Sequence, residues 1–186
     1  MHYPHDPHTL PLQNQFFYGP SLLINPVTVE NSTQVSFYLP QDTWFDFFTH
    51  KPVHGAGTTI TYTDVLTSDI PILIRGGAII PLRVKSAMTT TALREKDFEL
   101  WVAPGEDGRA EGGLYLDDGE SLVQERVSEI LFRWDGETGT VKAEGRFGFE
   151  TGVRVWSVTV LGERAEMYVV DEGLDGPWER TVASRT

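Results

Sequence analysis

Short alternating apolar runs, broken every few residues by turn clusters, restrict the fold of this chain more than any other feature. Val35, Phe37 and Leu39 alternate in TQVSFYL, Leu114 and Leu116 flank Tyr115, and Trp156, Val158 and Val160 alternate in VRVWSVTVL. A period of two places alternate side chains on one face of a strand. Between such runs stand NST, PQD, GAG, RGG, APGEDG, DDG, DGETG, LGE and EGLDGP, rich in the residues that reverse a chain. This rhythm predicts antiparallel sandwiches, and no stretch carries the period of a long amphipathic helix. The expected fold class is therefore all-β, as two consecutive antiparallel β-sandwich domains. Helical turns are expected only around residues 13–17 and 91–97.

The 186 residues suffice for two small domains. The pattern loosens in VKSAMTTTALREK before a fresh strand at FELWV, which puts a boundary near residue 90, with sandwiches over 19–90 and 91–186. Residues 1–18 carry Pro4, Pro7 and Pro11 among His2, His5 and His8; they read as a loop and short helix arriving from a part that is missing. In DIPILIRGGAIIPL, residues 69–82, branched apolar residues fill both arms around Gly76-Gly77. That stretch reads as a buried hairpin with Arg75, Gly76 and Gly77 at its tip. Asp69 and Asp64 are the candidate partners of Arg75.

With 27 acidic against 15 basic residues the net charge is -12, which opposes a nucleic acid or an anionic membrane as the main partner. No apolar run approaches the roughly 20 residues of a membrane helix. The start, MHYPHDPHTL, has neither the basic end nor the apolar stretch of a signal peptide, and localisation stays open. Cysteine is absent, excluding disulfides and thiolate chemistry in this sequence. One sequon, Asn31-Ser32-Thr33, is a candidate N-glycosylation site for a secretory context.

His2, His5 and His8 invite a metal reading, but the intervening prolines break any helical face, and no metal or other cofactor is expected. LYLDDGESL holds the densest acidic cluster. Adjacent Asp117 and Asp118 with Glu120 fit an EF-hand calcium loop poorly. Retaining glycosidases need two carboxyls about 5 Å apart across a sugar pocket, whereas neighbours on one strand point to opposite faces. A strand ending in an Asp-Gly turn is the preferred reading. Of the tryptophans Trp44, Trp101, Trp134, Trp156 and Trp178, Trp178 in DGPWER is the least core-like and the candidate for stacking on sugar.

Taken in order, QFFYGPSLLINPVT, VSFYLPQDTWFDFFTHKPVHG, DIPILIRGGAIIPL, FELWVAPGEDGRAEGGLYLDDGESL and VWSVTVLG resemble the C-terminal part of a fungal-type glycoside hydrolase family 31 α-glucosidase. The resemblance spans nearly the whole chain. It implies the proximal and distal β-sandwiches that follow a (β/α)8 barrel, in a family usually secreted in fungi. The family is similar in using two barrel aspartates, the nucleophile lying in W-x-D-M-N-E. Trp44-Phe45-Asp46 begins that way, but Phe47 and Phe48 follow, so no catalytic residue is carried over.

The expected role is a non-catalytic module that braces or completes a barrel supplied elsewhere, inactive alone. A surface that would pack on the barrel is then left apolar, predicting self-association or a partner chain. The alternative is a stand-alone protein binding α-glucans through exposed aromatic rings. Hydrolysis by this chain alone would require an unrecognised carboxyl pair.

Overall fold

The computed structural model of the protein describes residues 2–182. It forms two compact units, Met1–Gly76 with Gly162–Arg164, and Gly77–Leu161 with Ala165–Thr186. Both are built from sheets, as the alternation requires. Among the described residues the helical pieces are a 3-10 turn at Pro7–Thr9 and α1 (Thr90–Arg94). Residues 13–17 hold no helix: Phe16 already belongs to a strand, because its neighbours alternate between exposed and half-buried positions against a partner strand.

The first unit contains β1 (Phe16–Tyr18), β2 (Leu22–Ile24), β3 (Val35–Leu39), β4 (Asp42–Asp46), β5 (Pro52–Gly55), β6 (Thr58–Tyr62) and β7 (Ile72–Arg75). Five of them form an antiparallel sheet in the order β1-β2-β7-β4-β5, and β3 pairs with β6. The register places Phe17, Leu23 and Leu73 side by side on one face of the large sheet. They pack with Trp44 against Phe37, Leu39, Ile60 and Tyr62 of the β3–β6 pair. Leu23, Leu39, Trp44 and Leu73 are fully buried, and each such side chain contributes about 2 kcal/mol by leaving water. The indole of Trp44 keeps its one donor satisfied on the carbonyl of Pro40 at 3.1 Å.

The second unit contains β8 (Ala78–Arg83), β9 (Phe98–Ala103), β10 (Arg109–Leu116), β11 (Ser128–Asp135), β12 (Thr140–Phe147), β13 (Arg154–Val160), β14 (Glu166–Gly173) and β15 (Trp178–Thr181). They form one sheet in the order β14-β13-β9-β8-β10-β11-β12-β15. Two of its pairings, β8 with β10 and β9 with β13, are parallel, where purely antiparallel sheets are expected from sequence. Phe98, Leu100 and Val102 from one half share a single buried cluster with Ile130, Phe132 and Trp134 from the other. Since all of them are almost inaccessible, the sheet folds back and covers its own apolar face, as a sandwich does.

The hairpin expected over 69–82 does not form. β7 pairs with β2 and β4, while β8 pairs with β9 and β10. The backbone of Arg75 donates to Ser21 and that of Gly76 to Thr43, whereas Gly77 donates to Ala103 and accepts from Glu111. Both arms have their hydrogen bonds taken by other strands, so they cannot bond each other. Gly76-Gly77 is instead the link at which the chain leaves one unit and enters the next. Gly77 has φ +85° with open space where a Cβ would stand, so backbone conformation rather than crowding favours glycine there. The division thus falls before β8, and the loosened stretch near residue 90 is α1, capped by Thr89 accepting from the amide of Ala92 at 3.2 Å.

Candidate functional site

Alternation along the five-stranded sheet decides what its two faces carry. One face fills the core; the other is formed by Phe16, Ile24 and Ile72 in one row and by Tyr18, Leu22, Ile74, Phe45 and Pro52 in the next. Every residue in those rows is apolar or aromatic. Phe45 and Ile74 in the middle are buried, but Phe16 is 54% and Tyr18 72% exposed. The second unit shows what a solvated sheet face looks like. There Glu111, Arg133, Lys142 and Glu179 lie in one cross-strand row, Arg133 binding Glu111 at 3.1 Å and also Glu144, and Lys142 binding Glu179 at 3.0 Å. An apolar outer face is not the default of this sequence. Its exposed part, Phe16 and Tyr18 at the β1 edge, is suited to association.

The N-terminal segment is strapped to the same unit. Gln15 grips the backbone of Tyr38 from both sides, donating to its carbonyl and accepting from its amide at 2.8 Å each. The Tyr38 hydroxyl donates to Asp6 at 2.6 Å, and the His8 ring lies 5.8 Å from the Tyr38 ring. Tyr3 donates to Asp42 at 2.8 Å and its ring sits 5.1 Å beneath the Arg75 guanidinium. Burial and the adjacent Asp42 carboxylate push the Tyr3 phenol well above its usual range.

Arg75 is thereby accounted for. Its Nε donates to Asp42 at 2.7 Å, and neither Asp69 nor Asp64, the partners expected from sequence, is the carboxylate that holds it. β4 lies beside β7 in the sheet, with Trp44 opposite Arg75, which brings Asp42 within reach across 33 residues. No short-range sequence signal announces that pairing.

The other sequence candidates are also placed. The His2 ring lies 4.6 Å from the Phe17 ring, tilted by 52°. Among the described residues no group of three or more His, Cys, Asp or Glu is arranged to hold a metal ion, and no helix is long and apolar enough to cross a membrane. Asp46 closes the β4–β5 turn, accepting from the amides of Phe48 and Thr49 at 3.0 and 2.8 Å and from the Tyr62 hydroxyl at 3.4 Å. Burial and the Asp46 carboxylate push the Tyr62 phenol up to about 12.

Asp118 likewise caps a turn, accepting from the hydroxyl and amide of Ser121, the amide of Glu120 and the side chain of Gln124. These hydrogen bonds hold its carboxyl well below the usual carboxylate range. Asp117 pairs with Arg94 at 3.3 Å, and Gly119 has φ +71°. The cluster is a strand ending in a turn.

Trp178 is not an open platform. It stands opposite Ala143 on β12, whose neighbour across the sheet is Phe132. The small Ala143 lets the indole lie 6.3 Å from the Phe132 ring and pack on the core, with its N–H buried and unpartnered among the described residues. Trp156, 45% exposed, is the more open ring. It sits at the irregularity between Val155 and Ser157, a break that strict alternation cannot reveal.

Residues 1–80 match the model of the glycosyl hydrolase family 31 C-terminal domain. The chain is 47% identical over 163 residues to "Probable alpha/beta-glucosidase agdC" of Neosartorya fischeri, covering 88% of this chain and 18% of that protein. It is 31% identical to "Neutral alpha-glucosidase AB" of Sus scrofa over 97% of this chain and 20% of the relative. The chain thus spans about a fifth of the length of the curated relatives it matches. In fold it is similar to the glucosidase II α subunit in its Tris-bound form, with a TM-score of 0.81 and 22% identity over 97% of this chain and 24% of that one. It is also similar in fold to the family 31 α-xylosidase of Xanthomonas citri, with a TM-score of 0.72 and 23% identity over 97% of this chain and 21% of that one. Sheets, sequence and relatives agree, and the chain belongs to glycosyl hydrolase family 31, as its C-terminal β-sandwich region.

Proposed function

We propose that this chain serves as the non-catalytic β module of a family 31 α-glucosidase, bracing the catalytic part that its relatives carry in the same polypeptide. The observation that carries the reading is the pair of aromatic rings at the β1 edge of the five-stranded sheet, Phe16 and Tyr18, open to solvent beside an otherwise largely covered apolar face. Exposed rings at a sheet edge are suited to burial against another apolar surface, and a chain spanning 18% of a relative leaves ample protein to supply one. The reaction of the assembled enzyme is retaining hydrolysis of terminal α-linked glucose, by two carboxyls outside this chain. The module's part is to hold that barrel in its folded form.

The test is reconstitution. The Neosartorya fischeri relative, truncated before its matched region, is expressed with and without this chain and assayed on a chromogenic α-glucoside. Soluble, active enzyme only with the chain present is the expected result. A truncated enzyme equally active without it, or hydrolysis by this chain alone that a single Asp or Glu substitution abolishes, would overturn the reading.

A further inference from the structure

Asn31 stands in the loop between β2 and β3, in the one Asn-x-Ser/Thr triplet of the sequence, Asn31-Ser32-Thr33. The amide of Ser32 donates to the carbonyl of Val29 at 3.2 Å, closing a turn whose third residue, Asn31, has φ 60°. Asparagine is among the few side chains that tolerate that conformation. Asn31 and Thr33 are both exposed. Beside them lies a groove of 480 Å³ lined by Val29, Asn31, Thr33, Leu66, Asp69 and Ile70. Val29, Leu66 and Ile70 are 69, 64 and 48% exposed, an apolar floor under an acceptor amide. Relatives with close sequences are eukaryotic, in fungi and in Sus scrofa.

We infer that Asn31 is an N-glycan acceptor and that the first N-acetylglucosamine residues of its glycan lie along this groove, covering Val29, Leu66 and Ile70. Sugar rings present C–H faces that pack on apolar side chains, and their hydroxyls remain free for water, Thr33 and Asp69. In the transfer, Asn31 Nδ2 forms a bond to the anomeric carbon of a polyprenyl-diphosphate oligosaccharide. The anomeric C–O bond breaks with its electron pair going to the lipid diphosphate, and one amide proton passes to the transferase's base. This assignment does not depend on the role proposed for the module.

The experiment is translation of the chain, fused to a cleavable secretion leader and a C-terminal Asn-Gly-Thr acceptor tag, in the presence of endoplasmic-reticulum microsomes. The tag reports translocation. Wild type is expected to show two glycan steps on a gel, both removed by peptide N-glycosidase, and Asn31→Gln only one. Thr33→Ala, which leaves the left-handed backbone of Asn31 untouched, is expected to match Asn31→Gln. A single step in wild type would overturn the assignment. The purified glycosylated chain is further expected to enhance the fluorescence of an apolar dye less than the deglycosylated chain, and the Leu66→Ser/Ile70→Ser variant to abolish that difference. Equal dye fluorescence with and without the glycan would overturn its seating in the groove.

Discussion

The Nε of Arg75, at the end of β7, donates to Oδ2 of Asp42, at the start of β4, at 2.7 Å. Tyr3 donates to the same oxygen at 2.8 Å, so one carboxylate ties the N-terminal segment and two strands together. Asp42→Ala leaves a half-buried guanidinium and a phenol without their acceptor. The expected loss is about 2 kcal/mol of unfolding free energy, the scale of hydrogen bonds to a charged group. Urea denaturation followed by tryptophan fluorescence measures it. Tyr3→Phe should cost less, and should cost nothing further in the Asp42→Ala background. A loss indistinguishable from zero would mean that water replaces the carboxylate, as at exposed ion pairs.

Gly55 lies against a filled wall. A Cβ there would fall 2.1 Å from the carbonyl oxygen of Pro40 and 2.6 Å from the indole nitrogen of Trp44, the two ends of the bond that satisfies the buried tryptophan. Gly55→Ala is expected to destabilise the first unit by about 3 kcal/mol, the upper part of the range for overpacking. Thermal unfolding with near-ultraviolet circular dichroism would report both the loss and the displaced indole.

Trp178 should behave as a packing residue at the edge of the core. Trp178→Ala is expected to cost about 2 kcal/mol, below fully buried aromatic truncations because the ring is only partly buried against the core. Trp178→Phe, which also removes the unpartnered indole N–H, should cost clearly less. Isothermal titration with maltose and longer α-glucans should give the same result before and after the Phe substitution. A saturable binding signal lost with Trp178→Phe would restore the sugar-platform reading.

Alkaline pH provides a test at Tyr62. Its pKa is raised to about 12, first by burial and then by Asp46. Between the usual tyrosine value near 10 and about 12 the unfolded chain has lost this proton while the folded chain keeps it. Stability therefore falls as pH rises through that window, and the contribution is fully present below it. Urea unfolding at successive pH values should show a shallower decline for Tyr62→Phe than for wild type. Equal slopes would mean that Tyr62 titrates normally.

The exposed rings of Phe16 and Tyr18 at the β1 edge predict association. Phe16→Ser/Tyr18→Ser removes exposed rings and no core contact on the buried side of the sheet. Light scattering after gel filtration is expected to show less self-association than wild type at an unchanged unfolding midpoint. A wild type that stays monomeric at high concentration would remove the basis for this prediction.

Strands, turns and the all-β class were legible because alternation and turn chemistry act over a few residues. The VSFYL, FELWV and VWSVTV runs read as strands and are strands. The order of the five sequence blocks was equally legible, and with it the family. Partner choice was not, because a period of two says which side a residue faces and nothing about which strand lies beside it. Two branched arms around Gly76-Gly77 suit a hairpin or a link between sheets equally well; only the competing hydrogen bonds of β2, β4, β9 and β10 decide for the link. Asp42 rather than Asp69 holds Arg75, and Ala143 makes room for Trp178, for the same reason. Local sequence determined the strands, and long-range pairing decided which side chains meet.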